Sequence, residues 1–503
     1  MKKKLLLTLG VFILIIHQVS YSNEVCQKAF NSFEAGNYQE AIKYYDKCIE
    51  EHPDWLPAYY YRGYSNFYLG NYQVSLQDIE LAINLVPYGE KETLNAFNYL
   101  KGQANQYLGN YKEAINAYSM AIEFNSADLA SYYNRGLLKN HLNNYQGAVS
   151  DFTYIIDLNS DIPSAYIGRA WSYANLEEYD KSLLDINKSL GLEENGSAYH
   201  LRGLVYYFIG KYEEALVDYS KAIELNPEDI SYYFDRGLLR NHLGDYILAI
   251  SDFSKVIEFH SDFTGGYINR GQSYAGIGEY EKSILDFNKA LELEESIDAY
   301  VWRGDTKRLM GEYERAIFDF TKAISIEPDY AFAYYRRGWC RKFLGDFDNS
   351  LLDYNKAIEL DPHYAYTYMA RGQLKKEIFG LEEEAADDFE MAILLDSVIR
   401  KGGNCKPYAL FYLGKVQEAI SYTEKIIEEF PTNGNYYDAA CLYSLMNMKN
   451  DAVKSLDKSI EKGYSNFIHM INDPDLDNIK NTDVFLQLLR KHNVKVKIPN
   501  PAR

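Results

Sequence analysis

A small residue recurs about every 34 positions along most of the chain. The spacings are 39, 34, 34, 33, 34, 34, 33, 34 and 34 residues between Gly63, Gly102, Gly136, Ala170, Gly203, Gly237, Gly271, Gly304, Gly338 and Gly372. A period of this length is typical of an array of supersecondary units, because each unit alone is too small to bury its apolar face. The 503 residues are therefore expected to form one long array.

Two units show most clearly a shared order of small, turn and aromatic residues. After Gly203 the order is Gly210, Ala215, Tyr219, Ala222 and Pro227, and the unit at Gly304 repeats it. The small residues let two antiparallel helices approach, and the aromatic ring fills the space between them. The second glycine permits a turn with positive φ, and proline ends the second helix. The order predicts a helical hairpin in every unit.

This order resembles the tetratricopeptide repeat (TPR), a 34-residue motif with a G…A-x3-F…P pattern, over about residues 23–490. The resemblance implies an all-α fold, a right-handed superhelical solenoid of about thirteen antiparallel helical hairpins with a C-terminal capping helix. We expect a regular array at 23–396, divergent units and the capping helix at 397–490, and a tail at 491–503. It also implies a non-enzymatic scaffold that binds protein segments in a concave groove lined by the first helices.

Residues 1–22 are predicted to be a signal peptide. A basic start, "MKKK", precedes the apolar run "LLLTLGVFILII", and Ser20 and Ser22 fit a cleavage site. The run is too short for an ordinary transmembrane helix, although an uncleaved anchor stays as the alternative. No later stretch is long and apolar enough to span a membrane. We therefore expect an exported protein, periplasmic or extracellular, with no span in the mature chain.

The net charge of −20 argues against nucleic acid and anionic lipid as partners. The motifs of zinc hydrolases, serine hydrolases and P-loop enzymes do not occur, and neither does Cys/His metal spacing. Asp473, Asp475 and Asp477 have the spacing of a calcium loop, but Asn478 and Val484 replace the required Gly and Glu. We therefore predict no catalytic residues, no metal and no cofactor.

Nine units carry an Arg directly before the small residue and an Asp in the second helix. The arginines are Arg62, Arg135, Arg169, Arg202, Arg236, Arg270, Arg303, Arg337 and Arg371. The aspartates are Asp78, Asp151, Asp185, Asp218, Asp252, Asp286, Asp319, Asp353 and Asp388. The other four units have neither residue. We predict a partly buried ion pair within each hairpin, Arg236–Asp252 and Arg270–Asp286 among them. Shared ancestry of one repeat subtype, without contact, is the alternative.

Aromatic residues fill several columns that would face the groove in a TPR array. They include Tyr133, Trp171, Tyr207, Phe234, Trp302 and Trp339. Rigid aromatic side chains suit the recognition of a peptide or a sugar ring. Packing between neighbouring first helices is the alternative for each of them. At the level of function, the alternative to a protein scaffold is a carbohydrate-binding or exopolysaccharide-export factor.

One sequence segment occurs in two similar copies at an offset of three units. The copies are "NRGLLKNHLNNY" at 134–145 and "DRGLLRNHLGDY" at 235–246. The offset of 101 residues indicates that a block of three hairpins was duplicated. The segment places Asn140 and His141, and again Asn241 and His242, in groove columns. They are either polar contacts for a ligand or duplicated surface residues.

Three basic residues, Arg308, Lys342 and Lys376, share one groove column at 34-residue intervals. We predict that they form a basic stripe that docks an anionic segment, with a solvated surface as the alternative. At the start of the array, Cys26 and Cys48 fall on the two helices of the first hairpin. Export would allow a disulfide between them. Two separate core residues are the alternative.

Overall fold

The computed structural model describes residues 24–396 and 405–494. Within these ranges the chain forms helices joined by short turns, and no β-strand occurs. The predicted signal peptide (1–22) and most of the predicted tail fall outside the described residues, as does the segment 397–404. The chain divides into two compact units between Pro227 and Glu228.

The described part of the first unit, from Glu24 onward, contains twelve helices. They are α1 (Glu24–Glu34), α2 (Tyr38–Glu51), α3 (Leu56–Tyr68), α4 (Tyr72–Asn84), α5 (Lys91–Tyr107), α6 (Tyr111–Phe124), α7 (Leu129–His141), α8 (Tyr145–Leu158), α9 (Pro163–Asn175), α10 (Tyr179–Leu192), α11 (Gly196–Phe208) and α12 (Tyr212–Leu225). Each odd-numbered helix pairs with the next one, so the unit consists of six hairpins.

The second unit begins with seven hairpins. Their helices are α13 (Ile230–Leu243), α14 (Tyr246–Phe259), α15 (Thr264–Gly276), α16 (Tyr280–Leu293), α17 (Ile297–Leu309), α18 (Tyr313–Ile326), α19 (Ala331–Phe343), α20 (Phe347–Leu360), α21 (Ala365–Leu374), α22 (Glu382–Asp396), α23 (Cys405–Tyr412), α24 (Val416–Glu429), α25 (Asn433–Leu445) and α26 (Lys449–Glu461). A π-helical turn, Lys375–Phe379, extends α21. The described residues thus contain thirteen hairpins, and the predicted all-α hairpin fold is confirmed.

Each hairpin is built as its residue order predicts. A Cβ atom on Gly136 of α7 would lie 2.9 Å from the Phe152 ring of α8, so only glycine lets this ring fill the space between the two helices. The turn after α13 uses Gly244, whose φ of 83° suits a residue without a Cβ. Asn143 takes the equivalent turn position after α7 with φ 60°. Asn tolerates this left-handed conformation better than most residues.

The first hairpin contains a disulfide between Cys26 of α1 and Cys48 of α2, with Cα atoms 5.4 Å apart. Both side chains are buried beside Ala29 and Tyr45. Among the described residues the other cysteines, Cys340, Cys405 and Cys441, are buried free thiols. The bond joins the two helices of the first hairpin in the described residues.

Three short helices follow the last hairpin: α27 (Phe467–Asn472), α28 (Asp477–Lys480) and α29 (Asp483–Lys491). A 3-10 turn, Pro474–Leu476, lies between α27 and α28. Met470, Leu476, Ile479 and Phe485 pack on the apolar side chains of α25 and α26. These helices therefore cover the end of the array. In the described part of the chain, no helix has both the length and the hydrophobicity needed to cross a membrane.

Candidate functional site

The nine arginines of one column and the nine aspartates of the other form ion pairs, each within its own hairpin. In every pair the guanidinium Nε and Nη2 atoms donate to the two carboxylate oxygens over 2.6–3.1 Å. The Arg side chains are 13–22 % exposed and the Asp side chains at most 9 %. Bidentate pairs of this kind fix both position and angle. Arg236–Asp252 and Arg270–Asp286 have this geometry.

Most of these arginines also contact the preceding hairpin. Eight of them donate from Nη1, over 2.6–3.2 Å, to Asp46, Ser119, Thr153, Asn187, Ser254, Asn288, Thr321 and Asn355. Each guanidinium also lies 5.2–5.9 Å from the ring of a Tyr three residues earlier. We call these Tyr, Arg and Asp columns the arginine ladder. It holds nine hairpins together and joins eight of them to the preceding hairpin.

A second cation reaches the Asp in five hairpins. These ion pairs, of 2.6–3.0 Å, are Lys139–Asp151, Arg240–Asp252, Lys307–Asp319, Arg341–Asp353 and Lys375–Asp388. Burial lowers the pKa of Arg240, and the charge of Arg236 beside it acts in the same direction. The ladder is therefore a structural network of charges, and its Asp carboxylates already have cationic partners within the protein.

Asn140 and Asn241 join neighbouring hairpins. The Asn140 amide donates to the Gly168 carbonyl over 3.2 Å and accepts from the Ser172 hydroxyl over 2.8 Å. Asn241 repeats both contacts with the Asn269 carbonyl and Ser273, over 3.3 and 2.6 Å. Both residues were expected to serve a ligand or to be surface residues. The structure shows an inter-hairpin contact for both, since each bonds two groups of the next first helix.

His141 and His242, which follow these two residues, lie at the exposed ends of α7 and α13. The His141 ring packs edge-on against Tyr111, with centroids 4.5 Å apart. The duplicated Asn-His pair thus splits into a buried or half-buried Asn that joins hairpins and an exposed His.

Within the first unit, an open cleft of about 740 Å³ lies along the first helices α7 and α9 and the start of α11. We call it the unit 1 cleft. Its wall consists of Tyr133, Leu137, Asn140, His141, Asn143, Tyr145, Pro163, Ser164, Ile167, Gly168, Trp171, Asn175, Glu193, Asn195 and Ser197. Trp171 is 42 % exposed there. The cleft therefore brings together four residues that the sequence placed on the groove: Tyr133, Asn140, His141 and Trp171.

Other predicted groove aromatics pack mainly on their neighbours. Phe234 contacts Phe253 and Phe263, and Tyr207 contacts Phe208 and Tyr212. Trp339 lies 4.1 Å from the Phe343 ring, measured between centroids. Trp302 remains 39 % exposed. Packing between side chains thus accounts for part of the aromatic column.

The predicted basic stripe requires a correction. Arg308 is only 11 % exposed and pairs with Asp305 over 2.7 Å, while its guanidinium lies 4.8 Å from the Trp339 ring. Lys342 pairs with Glu377 over 3.3 Å, and burial lowers its pKa. Lys376 donates to the Tyr412 carbonyl over 2.7 Å and pairs with Glu382. Each of the three cationic side chains therefore has partners within the protein. Arg308, Lys342 and Lys376 do not form the exposed basic stripe that was expected.

The C-terminal helices contact the middle of the array within the second unit. The Tyr280 hydroxyl donates to Asn466 Oδ1 over 2.6 Å, and the Asn466 amide reaches the Ala275 carbonyl over 3.5 Å. The contact joins residues 186 positions apart. It places α27 opposite the first helices α15 and α17.

A second cleft, of about 890 Å³, lies between these two parts of the second unit. We call it the unit 2 cleft. One wall comes from the α13–α14 turn, α15 and α17, with Asn241, Tyr246, Gln272, Trp302 and Asp305. The other wall comes from α23, α25 and the residues around α27, with Tyr408, Tyr437, Asp438, Tyr464, His469, Asp473 and Asp475. Sequence analysis missed this cleft, because no local pattern pairs α27 with the array.

Comparisons with known proteins agree with this architecture. Four profiles described as tetratricopeptide repeat match residues 27–54, 99–161, 196–229, 265–296, 297–330, 331–364 and 408–433. A chloroplastic protein from Arabidopsis thaliana is 29 % identical over 82 residues, which are 16 % of this chain and 24 % of that protein. The match therefore spans about a quarter of that curated relative.

Two solved structures are similar in part. A tetratricopeptide repeat protein from Parabacteroides merdae is 23 % identical, with a TM-score of 0.39, and the match covers 49 % of this chain and 98 % of that one. Yeast Tom70 is 16 % identical, with a TM-score of 0.41, and the match covers 82 % of this chain and 97 % of that one.

The stacked hairpins and the clefts along their first helices define a helical-repeat protein of the interaction-scaffold class. The chain belongs to the tetratricopeptide repeat proteins.

Proposed function

We propose that this protein is an exported, non-enzymatic scaffold that binds an extended protein segment in the unit 1 cleft. The observation that carries the proposal is the exposed indole of Trp171 in an open cleft along the first helices. Large aromatic side chains in such clefts are the usual centres of binding energy in protein interfaces. The basic start and apolar run of residues 1–22 support export.

The rest of the wall suits a peptide. Leu137, Pro163 and Ile167 supply apolar surface, while Asn175 and Asn195 supply amide groups at the edge. Amide side chains can pair with the backbone N–H and C=O groups of an extended segment. The wall combines apolar area with a few polar groups, as peptide and ligand sites generally do.

Binding can be tested with peptides selected from a random phage-displayed library against the predicted mature chain, residues 23–503. Selected peptides should lose at least tenfold in affinity for the Trp171→Ala variant, measured by fluorescence polarisation. Tyr88→Ala is the matched control, because Tyr88 is a fully exposed aromatic outside the cleft. Equal affinity for both variants would contradict binding at the unit 1 cleft.

Export is tested separately. The full chain, expressed in a bacterium with an exported-protein pathway, should be recovered outside the cytoplasm with Asn23 as its first residue. Peptide mass spectrometry of the amino terminus measures this. Recovery of the intact residues 1–22 on a cytoplasmic protein would contradict export.

A further inference from the structure

The unit 2 cleft has an unusual charge. Five of its lining residues are aspartates: Asp245, Asp305, Asp438, Asp473 and Asp475. Among the described residues that line it, none is Lys or Arg, and the single histidine is His469. Burial lowers the pKa of His469, so its ring is neutral near pH 7. The lining side chains therefore carry only negative charge.

The negative charge of one of these carboxylates, Asp305, is already balanced by cationic side chains. Asp305 pairs with Arg308 over 2.7 Å and with Arg336 over 3.4 Å. Burial opposes its ionisation, but the two guanidinium groups outweigh this effect and lower its pKa to about 2. Asp305 stays ionised, and its charge is matched by groups behind the wall.

Asp473 and Asp475 differ from Asp305. Asp473 accepts a hydrogen bond from the Tyr437 hydroxyl over 2.9 Å and from the backbone N–H of Asp475 over 3.0 Å. The Asp475 carboxylate makes no hydrogen bond or ion pair with any other residue in the described ranges. Lys342, which lines a smaller neighbouring cavity together with Asp473 and Asp475, is already paired with Glu377. A charged carboxylate beside another one, in a half-buried site, is costly without a cation.

Aromatic rings surround these carboxylates. Tyr246 and Trp302 belong to the array wall, and Tyr408, Tyr437 and Tyr464 to the C-terminal wall. The Tyr437 and Tyr464 rings stack with centroids 4.5 Å apart. The faces of Trp and Tyr attract cations. A volume of about 890 Å³ is within the range of small-ligand sites.

We propose that the unit 2 cleft binds an organic cation, an ammonium or guanidinium group, between Trp302 and the Asp473–Asp475 segment. The group ion-pairs with Asp475 and Asp473, and its apolar part packs against the aromatic rings. This site lies in the second unit and uses none of the residues invoked for peptide binding in the first, so either proposal can fail alone.

Calorimetric titration of the full mature chain at pH 8 tests the site with three probes. They are arginine methyl ester, the tripeptide acetyl-Gly-Lys-Gly-amide, and its neutral counterpart acetyl-Gly-Gln-Gly-amide. We expect the cations to bind and the neutral peptide to bind at least tenfold more weakly. Binding of both cations identifies the charged group itself as the ligand. Binding of the tripeptide alone identifies a peptide side chain as its source.

Variants connect the binding to the carboxylates. Asp475→Asn and Asp473→Asn should each weaken cation binding at least tenfold. Asp483→Asn is the matched control, because Asp483 is an exposed aspartate of the capping helices outside the cleft. Circular dichroism melting checks that each variant folds. Equal affinity for the cationic and neutral tripeptides, or unchanged affinity in Asp475→Asn, would overturn the proposal.

A pH series gives a readout that needs no variant. Burial and the neighbouring Asp473 raise the pKa of Asp475 to about 7. Asp438, Lys342, Glu377 and His469 are the other charged or titratable groups around it. Lowering the pH from 8 to 6 neutralises Asp475, so cation affinity should fall several-fold. Affinity that is constant over this range would contradict the proposed role of Asp475.

Discussion

Arg169 joins two hairpins through a single guanidinium group. Its Nε and Nη2 atoms donate to Asp185 of the same hairpin over 2.7 and 2.8 Å, and Nη1 donates to Thr153 of the preceding hairpin over 3.1 Å. The guanidinium carbon lies 5.8 Å from the centre of the Tyr166 ring. The hydrogen bond to Asp185 raises the pKa of Arg169, so the guanidinium stays charged.

Removing one partner of this pair should destabilise the hairpin strongly. Asp185→Ala leaves a half-buried guanidinium without its counter-ion, a loss of about 3–5 kcal/mol. Thr153→Val removes one neutral acceptor and should cost about 1 kcal/mol. Hydrogen exchange of the α9 and α10 amides measures both effects.

A double-mutant cycle isolates the pair itself. Arg169→Ala combined with Asp185→Ala should be less destabilising than the sum of the single changes, because the double variant leaves no unpaired charge. Strictly additive losses would contradict a direct interaction.

The two inter-hairpin asparagines should behave alike. Asn140→Ala removes the bonds of the Asn140 amide to the Ser172 hydroxyl and the Gly168 carbonyl, which still bond each other over 3.0 Å, at a cost of about 0.5–1.5 kcal/mol. Asn241→Ala should give a similar loss in the second unit. His141→Ala is the control and should cost less than about 0.5 kcal/mol, because the His141 ring is exposed. Thermal melting measures all three. An equal loss in His141→Ala would contradict the assigned role.

The disulfide should stabilise the first hairpin against unfolding and proteolysis. Closing the 22-residue separation between Cys26 and Cys48 stabilises by about 3 kcal/mol, chiefly by restricting the unfolded chain. Alkylation of the denatured chain without reductant should modify Cys340, Cys405 and Cys441 only, as read by mass spectrometry. Modification of all five cysteines would mean that the bond does not form. In the Cys26→Ser, Cys48→Ser double variant, limited proteolysis should cut within residues 24–51 first.

Asp475 should make stability fall as the pH rises. Its pKa is about 7 in the folded chain, against 3.8 for an ordinary Asp, so the folded state binds more protons between these values. Its contribution is therefore fully present below about pH 4 and is lost as the pH rises through 7. Asp475→Asn should melt at a higher temperature than the parent chain at pH 8 and at nearly the same temperature at pH 5. A variant that melts lower at pH 8 would contradict this sign.

Periodicity made the hairpins and the arginine ladder predictable. Arg and Asp recur at fixed places in each unit, and two columns inside one antiparallel hairpin must lie opposite each other. The donation from Nη1 was not predicted, because it depends on how consecutive hairpins stack. Part of its signal is present in the sequence: six of the eight acceptors are a Ser, Thr or Asn two residues after the Asp of the preceding hairpin, and a Tyr lies three residues before each Arg.

The basic stripe shows where a column pattern misleads. Asp305 lies three residues before Arg308 on the same helix, a spacing at which opposite charges pair. Lys342 meets Glu377, which belongs to the next hairpin. A column therefore shows which residues share a face, but their exposure depends on neighbours outside the column. The unit 2 cleft could not be predicted from the sequence for the same reason. No repeat pattern relates α27 to α15 and α17, which it contacts in the fold.

The bond between Tyr280 and Asn466 affects when the second unit is complete during synthesis. A simple repeat array has only neighbour contacts, so each hairpin can settle soon after it leaves the ribosome. Here Asn466 arrives 186 residues after Tyr280 and 191 residues after Ala275 of α15, the two residues that it bonds. The wall opposite Trp302 and Asp305 is therefore complete only about 170 residues after them, and the unit 2 cleft exists only in chains translated past Asp475. A ribosome stalled before that residue would display a folded array without this cleft.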